Sequence, residues 1–238
     1  MERSLILNHI QGLKRREKRE ADFYDLMLFA GLSLELTNDL RELRGKLPDI
    51  SKYLGKSLYI YGPQGAGKTV IAGHIFSETV KTGDFCGCGN GENEINWVTG
   101  KEKHPAYDSE DNERYKGPDF KWIRFCWYPG LIRQVKRSFN AGYEGPSEDE
   151  LLTQVIETDF LVLDDIGIEY ASEWSKNFMY LLIEERKTNL RPTVFTSNCS
   201  LDQLANKYDS HKITSRIAGM CKDRIIHLNE KDRRIMNG

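Results

Sequence analysis

Residues 62–69 read Gly62-Pro63-Gln64-Gly65-Ala66-Gly67-Lys68-Thr69, the complete G-x-x-x-x-G-K-[ST] pattern. Residues 56–61 before it are strand-like, and residues 70–76 after it, from Val70, have helical apolar spacing. A strand, a glycine-rich loop and a helix in that order make a phosphate-binding loop. The glycines allow backbone N–H groups to turn inward around a polyphosphate. The helix N-terminus adds partial positive charge at the same point. Lys68 is placed to reach the β- and γ-phosphates, and the Thr69 hydroxyl to ligate Mg²⁺. Residues 62–70 are therefore expected to hold a nucleoside triphosphate.

The rest of the chain fits an α/β fold. Residues 121–127 are aromatic and β-branched, as in a strand, and Pro129 opens an amphipathic helix to about Phe139. Ser147-Glu148-Asp149-Glu150 reads as a helix start with acids at its N-terminus. Phe160-Leu161-Val162-Leu163 and Thr193–Asn198 are apolar enough to be strands buried on both faces of a parallel sheet. A long helix is expected between them, from about Ser172 to Lys187. Strands alternating with helices predict a doubly wound parallel sheet flanked by helices.

Two zones stand apart. Residues 1 to about 50 are helical in pattern and carry the charged run Lys14-Arg15-Arg16-Glu17-Lys18-Arg19-Glu20, either a solvated helix face or a basic arm for DNA or a partner protein. Residues 84–119 are rich in Gly, Asn, Asp and Glu, with nine acids against four bases. They read as an insert in the core. Within it, Cys86, Cys88 and His104 suggest part of a zinc site, but the C-x-C spacing lacks a second pair, and free loop thiols are the simpler reading.

Composition narrows the setting. No stretch approaches 18 apolar residues and the start lacks a long apolar run, so neither a membrane span nor a secretory signal is expected. Five cysteines, an odd and sparse set, suit a reducing cytoplasm. A net charge of -2 means that any nucleic-acid contact must come from local patches. Arg133, Lys136 and Arg137, on the helix after Trp127, form one such patch. The alternative is a solvated helix face. Tyr59 and Tyr61, flanking the loop, are expected to pack the strand rather than stack on a base.

Phe160–Leu163 ends in Asp164-Asp165, which is what a Walker B element needs. Asp164 is suited to hold Mg²⁺ opposite Thr69, and Asp165 to orient or deprotonate an attacking water.

Leu161-Val162-Leu163-Asp164-Asp165-Ile166-Gly167 resembles the Walker B segment of the DnaC/IstB group of AAA+ ATPases, which includes bacterial and phage replicative helicase loaders and transposition helpers. Residues 191–198 resemble the group's sensor 1 strand, Lys212-Ile213-Thr214-Ser215-Arg216-Ile217 its box VII, and Asp232-Arg233-Arg234 its sensor 2 ending. The resemblance covers roughly residues 56–235 without the insert. It implies a P-loop AAA+ core over 51–238, preceded by a short helical N-terminal arm over 1–50 that grips the partner. By resemblance, Asn198 is sensor 1, placing the lytic water. Arg216 is the arginine finger, acting on a neighbouring subunit's nucleotide, and Arg234, or else Arg233, is sensor 2. The implied cofactors are ATP and Mg²⁺. The implied partners are a DnaB-type replicative helicase, single-stranded DNA and further copies of the chain in an ATP-dependent ring or spiral. Two other readings stand beside helicase loading: an IstB-like transposition helper on duplex DNA, and an ATP-switched adaptor with little hydrolysis. Many AAA+ proteins carry Asp-Glu where this chain has Asp164-Asp165. The shorter second acid implies slow turnover.

Overall fold

A computed structural model describes residues 23–24, 27–28, 30–82, 123–169 and 171–229 of the chain. Its elements are α1 (Leu34–Glu42), β1 (Leu58–Tyr61), α2 (Lys68–Thr82), β2 (Ile123–Trp127), α3 (Tyr128–Ser138), α4 (Glu148–Glu157), β3 (Phe160–Ile166), α5 (Glu173–Thr188), β4 (Thr193–Ser197), α6 (Leu201–Tyr208), α7 (His211–Cys221) and β5 (Ile225–His227). The insert, with Cys86, Cys88 and His104, lies outside the described residues, as do residues 1–22 and the segment holding Arg233 and Arg234.

The five strands form one sheet in the order β2-β3-β4-β1-β5, every pair parallel. The chain leaves β1, an internal strand, crosses to edge β2, and returns through β3 and β4. This brings the C-terminal ends of β1, β4 and β3 side by side, the crevice where open α/β sheets bind ligands.

Period-two alternation explains why the strands read as unbroken apolar runs. Leu58, Ile60, Phe125, Phe160, Val162 and Val194 face a core shared with α1 and α2. Tyr59, Cys126, Leu161, Leu163 and Phe195 face the opposite core, shared with α3 to α7. Local signals set the helix ends. Ser147 and Glu150 make a reciprocal capping box at α4, and Ser200 and Gln203 make another at α6.

Part of the N-terminal segment packs on this core. Met27, Ala30, Leu32, Leu36, Leu40 and Ile50 are buried with Ile75 and Phe76 of α2. The Phe125 N–H donates to the Ala30 carbonyl at 2.7 Å, covering the outer edge of β2.

The sequence suggests that the third strand stops at its carboxylates. Instead β3 runs through Asp164 and Asp165 to Ile166, and its register with β4 slips between Leu163 and Ile166. Asp165 absorbs the slip with a left-handed φ of 62°, a conformation that aspartate tolerates better than most residues.

Candidate nucleotide-binding site

Gly62 follows β1 where nothing larger fits. A Cβ there would lie 2.0 Å from the Leu228 carbonyl oxygen. The strand extension after β5 is fixed at that point because the Leu228 N–H donates to the Tyr61 carbonyl at 2.7 Å. Gly67 takes a φ of 89° as the loop turns into α2, which glycine accepts without strain. Lys68, the first residue of α2, is buried, and its ammonium donates to the carbonyls of Gly62 at 3.0 Å and Pro63 at 2.8 Å. Burial pushes the Lys68 amine down, while Asp165 and Asp164 pull it back up.

The first of the two expected acids and the loop threonine meet. The Thr69 hydroxyl lies 3.0 Å from Asp164 Oδ1 and 3.2 Å from Oδ2, donating to the carboxylate. Asp164 is 5% exposed. Its carboxyl is pushed up to about 6, chiefly by burial and also by Asp165, against the bonds from Thr196 and Thr69 and the nearby Lys68 charge. A hydroxyl and a carboxylate converging on one point suit Mg²⁺, which takes one or two protein oxygens and keeps its other positions for water and phosphate.

β4 supplies a contact that the sequence did not advertise. The Thr196 hydroxyl donates to Asp164 Oδ1 at 2.7 Å and accepts the Asp165 N–H at 2.8 Å. One residue on, the Ser197 hydroxyl donates to the Ile166 carbonyl at 2.8 Å and accepts the Cys199 N–H at 3.1 Å. Together they replace ladder bonds that the bulge in β3 removes. A threonine and a serine in a strand look ordinary; only the slipped register gives them this work.

The segment after β3 is gripped from α6. Glu169 accepts the Gly167 N–H at 3.0 Å and the Tyr208 hydroxyl, while Lys207 donates to the Gly167 carbonyl. Asn198 is exposed just past β4, at the same end of the sheet as the loop. Tyr59 is buried and donates to the Cys199 carbonyl at 2.7 Å. Tyr61 stacks on His227 of β5, ring centroids 4.6 Å apart. Both tyrosines make contacts within the sheet.

The remaining candidates lie on helices. Arg133, Lys136 and Arg137 are exposed on α3, opposite buried Leu131, Ile132 and Val135. Arg133 lies over half-exposed Trp127, 5.9 Å from the ring centroid. Arg216 of α7 makes its hydrogen bonds to Glu184 and Tyr180 of α5 and to the Lys212 carbonyl. No helix among the described residues is long and apolar enough to cross a membrane.

No family model matches the chain. Over 155 residues it is 26% identical to the replicative helicase loader DnaI of Bacillus subtilis strain 168, a match covering 65% of this chain and 37% of DnaI. Over 60 residues it is 30% identical to the replicative helicase loader DnaC of Escherichia coli strain K12, covering 25% of this chain and 24% of DnaC. The matches thus span well under half the length of either relative. A crystal structure of the DnaC helicase loader superposes with a TM-score of 0.50 at 20% identity, covering 83% of this chain and 92% of that one. At that identity the superposition speaks for the fold.

Proposed function

We propose that this chain is a DnaC-type AAA+ ATPase, a reading its likeness to two helicase loaders supports, and that it is an ATP-dependent loader of a replicative hexameric helicase. The observation that carries the reading is the convergence of buried Lys68, Thr69 and Asp164 on one end of the sheet, with Thr69 and Asp164 already in contact. Labour in the proposed site is divided along its residues. Backbone N–H groups of the loop after Pro63 bind the phosphates, and Lys68 exchanges its two loop carbonyls for phosphate oxygens. Thr69 and Asp164 would hold Mg²⁺, which would supply positive charge to offset that of the phosphates. Asp165 accepts a proton from the attacking water, and Asn198 orients that water. Arg216 of a neighbouring copy stabilises charge developing on the transferred phosphoryl group. Arg234 contacts the phosphates in its own subunit.

ATP-bound copies then form a ring or open spiral. Its Arg133, Lys136 and Arg137 track single-stranded DNA, and residues 1–50 engage the helicase. Hydrolysis releases it.

A loading assay tests this. Closed circular single-stranded DNA admits a hexameric ring only if the ring opens. Helicase, chain and ATP together should unwind an oligonucleotide annealed to such a circle, at least tenfold faster than helicase alone, on the order of an effect worth 1.4 kcal/mol. An unchanged rate would reject loading. ATP-dependent filaments on duplex DNA would favour a transposition helper instead.

A further inference from the structure

Arg216 is held by three groups at once. Its Nε donates to Glu184 Oε2, its Nη1 to the Lys212 carbonyl at 3.0 Å, and its Nη2 to the Tyr180 hydroxyl at 2.8 Å. The guanidinium carbon also lies 4.4 Å from the Tyr180 ring centroid. A guanidinium has five N–H groups. These contacts use one on each nitrogen and leave one on each terminal nitrogen. The side chain remains 22% exposed, so those two hydrogens can reach outward.

A flexible arginine that must meet a phosphate in another molecule loses rotamer freedom when it does so. Here most of that freedom is already removed by two helices. Tyr180 and Glu184 sit one turn apart on α5, whose inner face is anchored by Phe178, Met179, Leu182 and Ile183. Ile213 and Ile217 anchor α7 in the same core. The clamp therefore sits on rigid elements, not on loops.

We propose that Tyr180 and Glu184 are positioning residues for Arg216, presenting its guanidinium to the nucleotide of a neighbouring subunit. This rests on the reading of Arg216 as an arginine finger. The residues act in the subunit that donates the finger and have no part in the subunit that holds the nucleotide.

That asymmetry supplies the test. One subunit type carries Lys68→Ala and keeps its finger. The other carries Arg216→Ala and keeps its nucleotide site. Neither hydrolyses ATP alone, and a mixture should recover activity at the mixed interfaces. Glu184→Ala or Tyr180→Phe is then added to one type at a time, with single-stranded DNA present and folding checked by thermal melting. In the finger donor each change should lower the mixed rate about tenfold, the size expected when a reacting group is misplaced. In the nucleotide-holding subunit the same change should leave the rate as it was. Glu184→Gln in the donor, which keeps an acceptor for Nε, should fall between. Equal losses from either subunit would mark a purely structural role and overturn the proposal. An unchanged or faster rate with the altered donor would overturn it too. A parental mixture with no activity would instead reject Arg216 as a finger, and the proposal with it.

Discussion

One hydroxyl ties the two acids of β3 together: Thr196 donates to Asp164 at 2.7 Å and accepts from the Asp165 backbone at 2.8 Å. It fixes the carboxylate rotamer of the first acid and the left-handed backbone of the second. Thr196→Val keeps the shape of the side chain and loses both bonds. It should lower ATP turnover about 10- to 100-fold, with a much smaller change in nucleotide affinity, because the bonds orient rather than bind. Steady-state hydrolysis and equilibrium binding of a fluorescent ATP analogue separate the two effects. An unaltered turnover number would remove Thr196 from the account.

Asp164 should cost the nucleotide-free protein stability. Its folded pKa of about 6 lies above the ordinary 3.8. Between those values the folded chain binds more protons than the unfolded one, so stability falls as pH rises from about 4 to about 6, and the loss is complete by neutral pH. Asp164→Asn removes the titration and keeps a carbonyl for Thr196. It should stabilise the nucleotide-free protein by about 2 kcal/mol at about pH 7, with the gain shrinking as pH falls from about 6 and gone by about 4, while abolishing hydrolysis. Denaturation across that pH range checks the sign. A variant less stable than the parent at neutral pH would contradict it.

Arg186 is 1% exposed, with the Asp159 charge nearby. It donates to the carbonyls of Val155, Ile156 and Thr158, which close the C-terminus of α4, and to Pro192 and the Thr193 hydroxyl. A cation there complements the helix dipole and satisfies orphan carbonyls. Arg186→Met should cost about 3 kcal/mol in urea unfolding, because several buried acceptors lose their donor at once. Lysine, with a point charge in place of a fork, should recover less than half. A loss below about 1 kcal/mol would mean that water replaces the guanidinium.

Gly62→Ala should displace the phosphate loop. The added methyl meets the Leu228 carbonyl oxygen at 2.0 Å, and both groups are backbone-anchored. ATP affinity should fall at least about tenfold as the loop N–H groups lose their aim. Calorimetric titration reads this directly. Wild-type affinity would show that the strand after β5 yields freely.

The candidate site was legible where its residues are local in the chain. Residues 62–69 form loop and helix start within one stretch of chain, and Asp164-Asp165 end an apolar run. The alternation of strands and helices likewise gave the parallel sheet. Thr196, Ser197 and Arg186 were not legible. A threonine in a strand and an arginine in a helix carry no mark until register and packing show what they face. The clamp on Arg216 joins residues 32 and 36 positions away, a separation that no sequence period encodes.

Loading, as proposed, requires this chain to engage a replicative helicase under the control of ATP. The most direct measurement is the mass of complexes formed with the host's hexameric helicase, with and without ATP. The account predicts a stable complex whose stoichiometry changes with ATP and no longer does so in Lys68→Ala. No complex in either state would contradict it.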